Sequence, residues 1–292
     1  MFQGAFTALV TPFSSGSIDE KSLRDHIEFQ VKQGIHGVVP CGTTGEASTL
    51  SHDEHVEVVR ITVDQVGGRV PVIAGSGSNS TAEALELTRR VKEVGADGSL
   101  MITPYYNKPT QEGLYQHFSL IAESVDIPII LYNVPGRTGV NMLAETVGRL
   151  SKIPNIVGLK DATGDLVQAS YTLQVVPDDF VILSGEDAMV YPLLTLGGKG
   201  VISVVSNVAP AEMAKMVSAY LSGNIEDAQK LHYRLLPLSG AMFVETNPIP
   251  VKGALSMMGR IKNELRLPLV PLSETGRQKV KDALKAFGIA LD

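Results

Sequence analysis

Eight short runs rich in Val, Ile and Leu punctuate the chain: "GAFTALVTPF", "GVVPCGTT", "VPVIAGSG", "GSLMITPYY", "IPIILYNVP", "IVGLKDATG", "FVILSGEDA" and "GVISVVSN". Most are near-continuously apolar rather than alternating, the pattern of a strand covered on both faces. The segments between them carry a helical period. Leu23 to Lys32 sets Ile27 and Val31 four apart, and "AEALELTRRVKEVG" puts Leu87, Val91 and Val94 on one stripe with Gly95 as its C-cap. Eight repeats of strand then helix close most simply into a parallel (β/α)8 TIM barrel, because right-handed crossovers place every helix outside. An open doubly wound sheet is the alternative. Against it, no G-x-G-x-x-G opens a helix with an acid about twenty residues on, and "GSGSNS" at 75–80 is too degenerate to serve.

After Asn207 the rhythm changes, and the rest reads as helices. "APAEMAKMVSAYLSG" supplies the eighth helix of the barrel. "NIEDAQKLHYRLLPLSGAMF", "PIPVKGALSMMG" and "SETGRQKVKDALKAFG" then form a helical appendage, which divides the chain into a catalytic barrel, 1–223, and a C-terminal helical domain, 224–292. No low-complexity linker separates the two, so they are expected to pack together.

Charge and composition narrow the function classes. The 292 residues carry a net charge of −6 with no basic run or aromatic-basic interleaving, which argues against nucleic acid or an anionic membrane as partner. "MFQGAFTALVTPF" lacks a cationic leader and a cleavage site, and "IPIILYNV" is far shorter than the roughly 20 residues that span a bilayer, so the expected location is the cytoplasm. Cys41 is the single cysteine; it excludes an internal disulfide and a multi-cysteine metal site, and at a strand end it reads as a small apolar filler.

In a barrel of this kind the carboxyl ends of the strands carry the active site. Those ends hold Thr43 and Thr44 after the second strand, Tyr105 and Tyr106 after the fourth, Tyr132 in the fifth, Lys160 in the sixth and Gly185 after the seventh. An ordinary lysine is only about one part in 2,500 neutral at pH 7 and cannot attack a carbonyl while protonated. Lowering its pKa by roughly three units takes about 4 kcal/mol, which desolvation in an apolar barrel can supply. Schiff-base chemistry is one reading of Lys160; a structural ion pair with Asp161 or Glu186 is the other. Asp161 should face the opposite way, since neighbouring strand residues alternate.

Tyr132 can relay a proton through a hydroxyl chain with Thr44 and Tyr106, or can be core filler with a polar handle. The "GTTGE" turn offers close backbone N–H groups and two hydroxyls suited to a carboxylate or phosphate, though it also reads as an ordinary strand-to-helix loop. Arg137 in "NVPGRTG" presents a fork of donors for a second carboxylate, unless it is merely solvated.

Taken together, "GAFTALVTPF", "GTTGEASTL", "TPYYNKPTQEGLYQHF", "YNVPGRTG", "GLKDATGD", "GGKGVISV" and "NPIPVK" resemble the dihydrodipicolinate synthase family, within the pyruvate-dependent lyase superfamily that also holds N-acetylneuraminate lyases. The resemblance covers essentially the full chain. It implies condensation of pyruvate with aspartate semialdehyde to 4-hydroxy-tetrahydrodipicolinate, without metal or organic cofactor. It implies Lys160 as the Schiff-base lysine, Tyr132 as general acid/base, and Thr43 with Tyr106 as its relay partners. Thr43 and Thr44 would hold the pyruvate carboxylate, Arg137 that of the semialdehyde, and Gly185 and Ile202 would line the pocket.

The same resemblance implies a homo-oligomer, a tetramer built as a dimer of dimers, with Tyr106 contributed across the tight dimer interface. It further implies L-lysine as inhibitor at Ser48, His52, His55, Asn79, Glu83 and Tyr105. Independently, "SHDE" and "STAE" read as capping boxes, so Glu83 can equally cap its helix. His52 and His55 share a helical face, but two imidazoles without a third ligand do not make a metal site. Two rival functions stand beside this one: an aldolase for a sialic acid or 2-keto-3-deoxy sugar acid, and a silent barrel that binds a keto acid as sensor or scaffold.

Overall fold

Why the strands are apolar on both faces is visible in where successive side chains go. Residues 2–292 are described by a computed structural model. Its eight barrel strands, in order, are Gly4–Ala8, Gly37–Val39, Ile73–Gly75, Gly98–Ile102, Ile129–Asn133, Ile156–Asp161, Val181–Ser184 and Gly200–Ser203. Phe6, Ala8, Val39, Ile73, Leu100, Ile130, Tyr132, Leu183 and Ile202 point inward and form one cluster. Their neighbours Val38, Ala74, Met101, Leu131, Leu159, Ile182 and Val201 point outward into the layer between strands and helices. The period of two thus operates inside a run that looks uniformly hydrophobic.

All neighbouring strands pair in parallel, and the first strand pairs with both the second and the eighth. A parallel bridge between Val38 and Val72 joins the second strand to the third and completes the ring. The open-sheet alternative is thereby excluded. Room inside the ring is limited: a Cβ on Gly37 would stand 2.2 Å from the ring of Phe6, so glycine there admits the aromatic that plugs the barrel floor.

Local signals set the helix ends. The first helix begins at Glu20 rather than Leu23, because Asp19 caps it by accepting from the Ser22 N–H. The capping box read in "SHDE" is closed by Ser51 and Glu54. A short hairpin, Phe13–Ser14 with Ser17–Ile18, follows the first strand and was not legible in the apolar pattern. It is held from outside, by Glu264 accepting from the N–H groups of Ser15 and Gly16 at 2.8 and 2.5 Å. Among the described residues no helix is long and apolar enough to cross a membrane.

The barrel's eighth helix is Pro210–Leu221, and Ile225–Ala241, Ile249–Met257 and Glu274–Phe287 follow it. Their Leu235, Leu238, Val251, Leu255, Val280 and Leu284 belong to the same apolar cluster as Leu9, Val10 and Met213, so the appendage shares the barrel's outer core. One buried ion pair fixes its seat. Lys252 is fully buried, and its Nζ donates to Glu46 Oε1 at 2.5 Å and to the Thr11 carbonyl at 2.9 Å, 4.3 Å from the Phe13 ring centroid. Glu46 closes the "GTTGE" turn and also accepts from the Arg266 N–H at 3.1 Å.

Removing one partner of such a pair strands the other charge in a dry site. Lys252→Ala should therefore lower unfolding free energy by about 3–5 kcal/mol in chemical denaturation. A loss below 1 kcal/mol would show that the pair does not hold the appendage.

Candidate active site

The sixth strand ends with Lys160 facing inward beside Tyr132, its register partner on the fifth strand. Lys160 is 7% exposed, and its Nζ lies 4.1 Å from the Tyr132 ring centroid. Burial in the barrel pulls its pKa down to about 7; Asp187 opposes the shift and Arg137 adds to it. About half of the amine is then neutral at pH 7. The structural ion pair is excluded. Asp161 faces away and accepts from Thr163 N and Oγ1 at 2.8 and 2.7 Å, while Glu186 is exposed and no carboxylate lies within 4 Å of Lys160 among the described residues.

Gly185 gives the lysine its space. A Cβ there would sit 2.7 Å from Ala162 Cβ and 3.0 Å from Lys160 Cε, so any side chain would displace the amine. Ile202, 1% exposed, belongs to the same inward cluster as Tyr132 and Leu183. Two residues from Gly185 stands a group that sequence reasoning missed. Asp187 is buried, and its Oδ2 accepts from the N–H groups of Val204 and Val205 at 3.0 Å each. Burial raises its pKa, while the backbone bonds and Lys160 resist. The signal was present in "SGEDA", but the acid adjacent to it drew the pairing expectation.

Tyr132 is 6% exposed, and burial raises its phenol pKa, with Arg137 and a hydrogen bond from Thr43 acting the other way. Thr43, not Thr44, is therefore its hydroxyl neighbour. The expected chain through Thr44 is corrected on the partner: Tyr132 meets Thr43, whereas Thr44 is buried with its Oγ1 accepting from the side-chain amide of Asn247 at 3.0 Å. The hydrogen bonds of that turn run from the N–H groups of Gly45, Glu46 and Ala47 to the carbonyls of Gly42 and Thr43. They leave the adjacent amides of Thr43 and Thr44 without a partner among the described residues, a pair of donors suited to a carboxylate.

Arg137 projects from the short helix Pro135–Thr138 that follows the fifth strand. Its Nη2 donates to the Asn247 carbonyl at 3.2 Å. Tyr106 is not brought to Tyr132 within one chain: it is 89% exposed, with φ at +72°.

A cavity of about 400 Å³ is lined by Thr43, Tyr132 and Arg137. Five of the six positions matched to an effector site, Ser48, His52, His55, Glu83 and Tyr105, line it as well; Asn79 does not, although its carbonyl accepts from the Asn107 side chain at 3.0 Å. Glu83 does not close a capping box. Ser80 caps that helix alone, and the Glu83 carboxylate binds His52 Nε2 at 2.7 Å and the Ser78 hydroxyl. His55 is buried, and its Nε2–H donates to the Gly75 carbonyl at 2.6 Å, so the two imidazoles have separate partners. Cys41 is buried with its thiol pushed far up by desolvation, as suits filler rather than nucleophile.

A (β/α)8 barrel with a half-neutral lysine beside a buried tyrosine at its mouth has the equipment of a Schiff-base aldolase. Residues 1–287 match the dihydrodipicolinate synthetase family, and the chain belongs to that family. It is 58% identical to the 4-hydroxy-tetrahydrodipicolinate synthase of Syntrophus aciditrophicus, over 99% of both chains. A solved dihydrodipicolinate synthase of Acinetobacter baumannii, complexed with pyruvate, superposes with a TM-score of 0.97 at 47% identity, covering 99% of this chain and 100% of that one. The structure from Cyanidioschyzon merolae with lysine bound superposes with a TM-score of 0.96 at 42% identity, over 99% of both.

The lowered pKa of Lys160 has a direct readout. Only the neutral amine reacts with an acylating reagent, so modification of Lys160 should rise about tenfold per pH unit below 7 and level off above it. Peptide mass mapping across pH 5–9 would report it; a rise that continues to pH 9 would mean an ordinary lysine.

Proposed function

We propose that the chain condenses pyruvate with L-aspartate 4-semialdehyde to give 4-hydroxy-tetrahydrodipicolinate, the committed step of lysine and diaminopimelate biosynthesis. The observation that carries this reading is the desolvated Lys160 amine beside Tyr132, which itself lines a cavity together with Thr43 and Arg137.

The neutral Lys160 amine attacks the keto carbon of pyruvate, and water leaves as the iminium forms. The positive nitrogen draws electrons from the neighbouring methyl group, which loses a proton to give an enamine. That carbon attacks the aldehyde of the second substrate, whose oxygen takes a proton and becomes a hydroxyl. The substrate's own amine then adds to the iminium carbon and expels Lys160, closing the ring. Tyr132 handles the protons with Thr43 and the Tyr106 of a second copy. The free amides of Thr43 and Thr44 seat the pyruvate carboxylate, and Arg137 that of the semialdehyde. Gly185 and Ile202 shape the wall behind the amine.

An exposed Tyr106 supports assembly of at least a dimer, and the family reading extends this to a tetramer of two dimers in the cytoplasm. The cluster of Ser48, His52, His55, Glu83 and Tyr105 suits an amino acid carrying both charges; L-lysine is the proposed inhibitor, and Asn79 would have to reach it from outside the cavity lining. A sugar-acid aldolase fits less well, because a polyol gives Arg137 no carboxylate to bind at the aldehyde end.

Borohydride with pyruvate should add one reduced pyruvate to Lys160, and nothing to Lys160→Ala, by mass spectrometry. A coupled assay should then show turnover with aspartate semialdehyde. An unmodified wild-type protein, or turnover of a sugar acid alone, would overturn the assignment.

A further inference from the structure

Two groups of the barrel mouth meet a residue that lies outside the barrel. Asn247 precedes the helix Ile249–Met257 and is 5% exposed. Its Nδ2 donates to Thr44 Oγ1 at 3.0 Å, and its main-chain carbonyl accepts from Arg137 Nη2 at 3.2 Å. The Oδ1 of the same carboxamide is buried and has no partner among the described residues.

Each contact leaves something free. A threonine hydroxyl that accepts from Asn247 still has its one proton to donate. A guanidinium carries five N–H donors, so one bond to a carbonyl leaves a fork for a carboxylate. An unpaired acceptor oxygen in a dry site favours a ligand that brings a donor and disfavours an otherwise identical ligand that lacks one. An α-amino acid whose carboxylate lies on Arg137 carries such a donor on the adjacent carbon. Held through one N–H, the neutral amine also has a fixed direction for the lone pair that closes the ring.

We propose that Asn247 determines specificity for the amino-acid half of the second substrate: its Oδ1 accepts from the α-amino group, while its main-chain carbonyl aims Arg137 at the α-carboxylate. Its Nδ2 orients the Thr44 hydroxyl on the pyruvate side. The inference rests on the roles of Arg137 and Thr44 proposed above, and it joins both carboxylate seats to one residue of the C-terminal segment.

The test compares wild type, Asn247→Ala and Asn247→Asp. KM for aspartate semialdehyde is measured alongside the inhibition constant of succinic semialdehyde, the same aldehyde without the amino group. In Asn247→Ala, KM should rise about tenfold while the inhibition constant stays within about threefold, so that discrimination falls by close to an order of magnitude. Asn247→Asp keeps an acceptor oxygen and should keep the discrimination, while losing the donor to Thr44 and binding pyruvate about threefold more weakly. A thermal melt of each variant reports folding, and the Asp variant carries the test should the Ala variant not fold.

Equal losses for both aldehydes in a folded Asn247→Ala protein would reduce Asn247 to a brace and overturn the inference. So would an Asp variant that no longer discriminates. A wild type that forms no pyruvate adduct would instead sink the functional reading on which this one stands.

Discussion

Everything at the mouth of this barrel depends on keeping water from one amine. Lys160 gives up its proton near neutral pH because the inward cluster around it removes solvent, and Asp187 offsets only part of that effect. Its pKa of about 7 reflects roughly 4–5 kcal/mol of preference for the neutral form relative to an exposed lysine. That preference is a cost to the fold at neutral pH, offset elsewhere by apolar burial of the strands on both faces. Gly185 belongs to the same device, since the space of one methyl group decides whether the amine lies against the wall or is pushed from it.

The second dependence runs through the C-terminal segment. The "GTTGE" turn supplies two amides unpaired among the described residues, and its internal hydrogen bonds do not by themselves tie it to the rest of the chain. Glu46 anchors one end of it to Lys252 and Arg266, and Asn247 anchors Thr44. Arg266 also forks onto Glu54 at 2.5 and 2.8 Å, at the start of the helix that carries His52 and His55. The "GTTGE" turn and the helix that carries His52 and His55 therefore share one set of braces.

Much of this was legible in the residues. Eight apolar runs with helical intervals fix a closed barrel, and the strand ends then bring Lys160, Tyr132, Thr43 and Arg137 to one mouth. What escaped lies in contacts between residues distant in sequence. Thr43 and Thr44 are adjacent and chemically alike, and contacts with distant residues tell them apart, Tyr132 for Thr43 and Asn247 for Thr44. Asp187 was hidden beside Glu186, because which of two neighbouring acids turns inward depends on the turn after the seventh strand. The hairpin at Phe13–Ile18 has strands of two residues each, too short for a period to register, and its glutamate clamp comes from residue 264. "STAE" fits the capping-box pattern, yet Glu83 finds better partners in His52 and Ser78.

The anchoring of the mouth by Asn247 and Lys252 has a consequence for the order of synthesis. A ribosome delivers all eight strands, Lys160 and the tyrosine beside it before it adds the residues that lock the second-strand turn. A chain halted after its barrel would possess the buried amine without the bonds that fix Thr44 and the second-strand turn. The bracing of the mouth thus waits on translation past residue 252, and shorter products are left with an unfinished mouth.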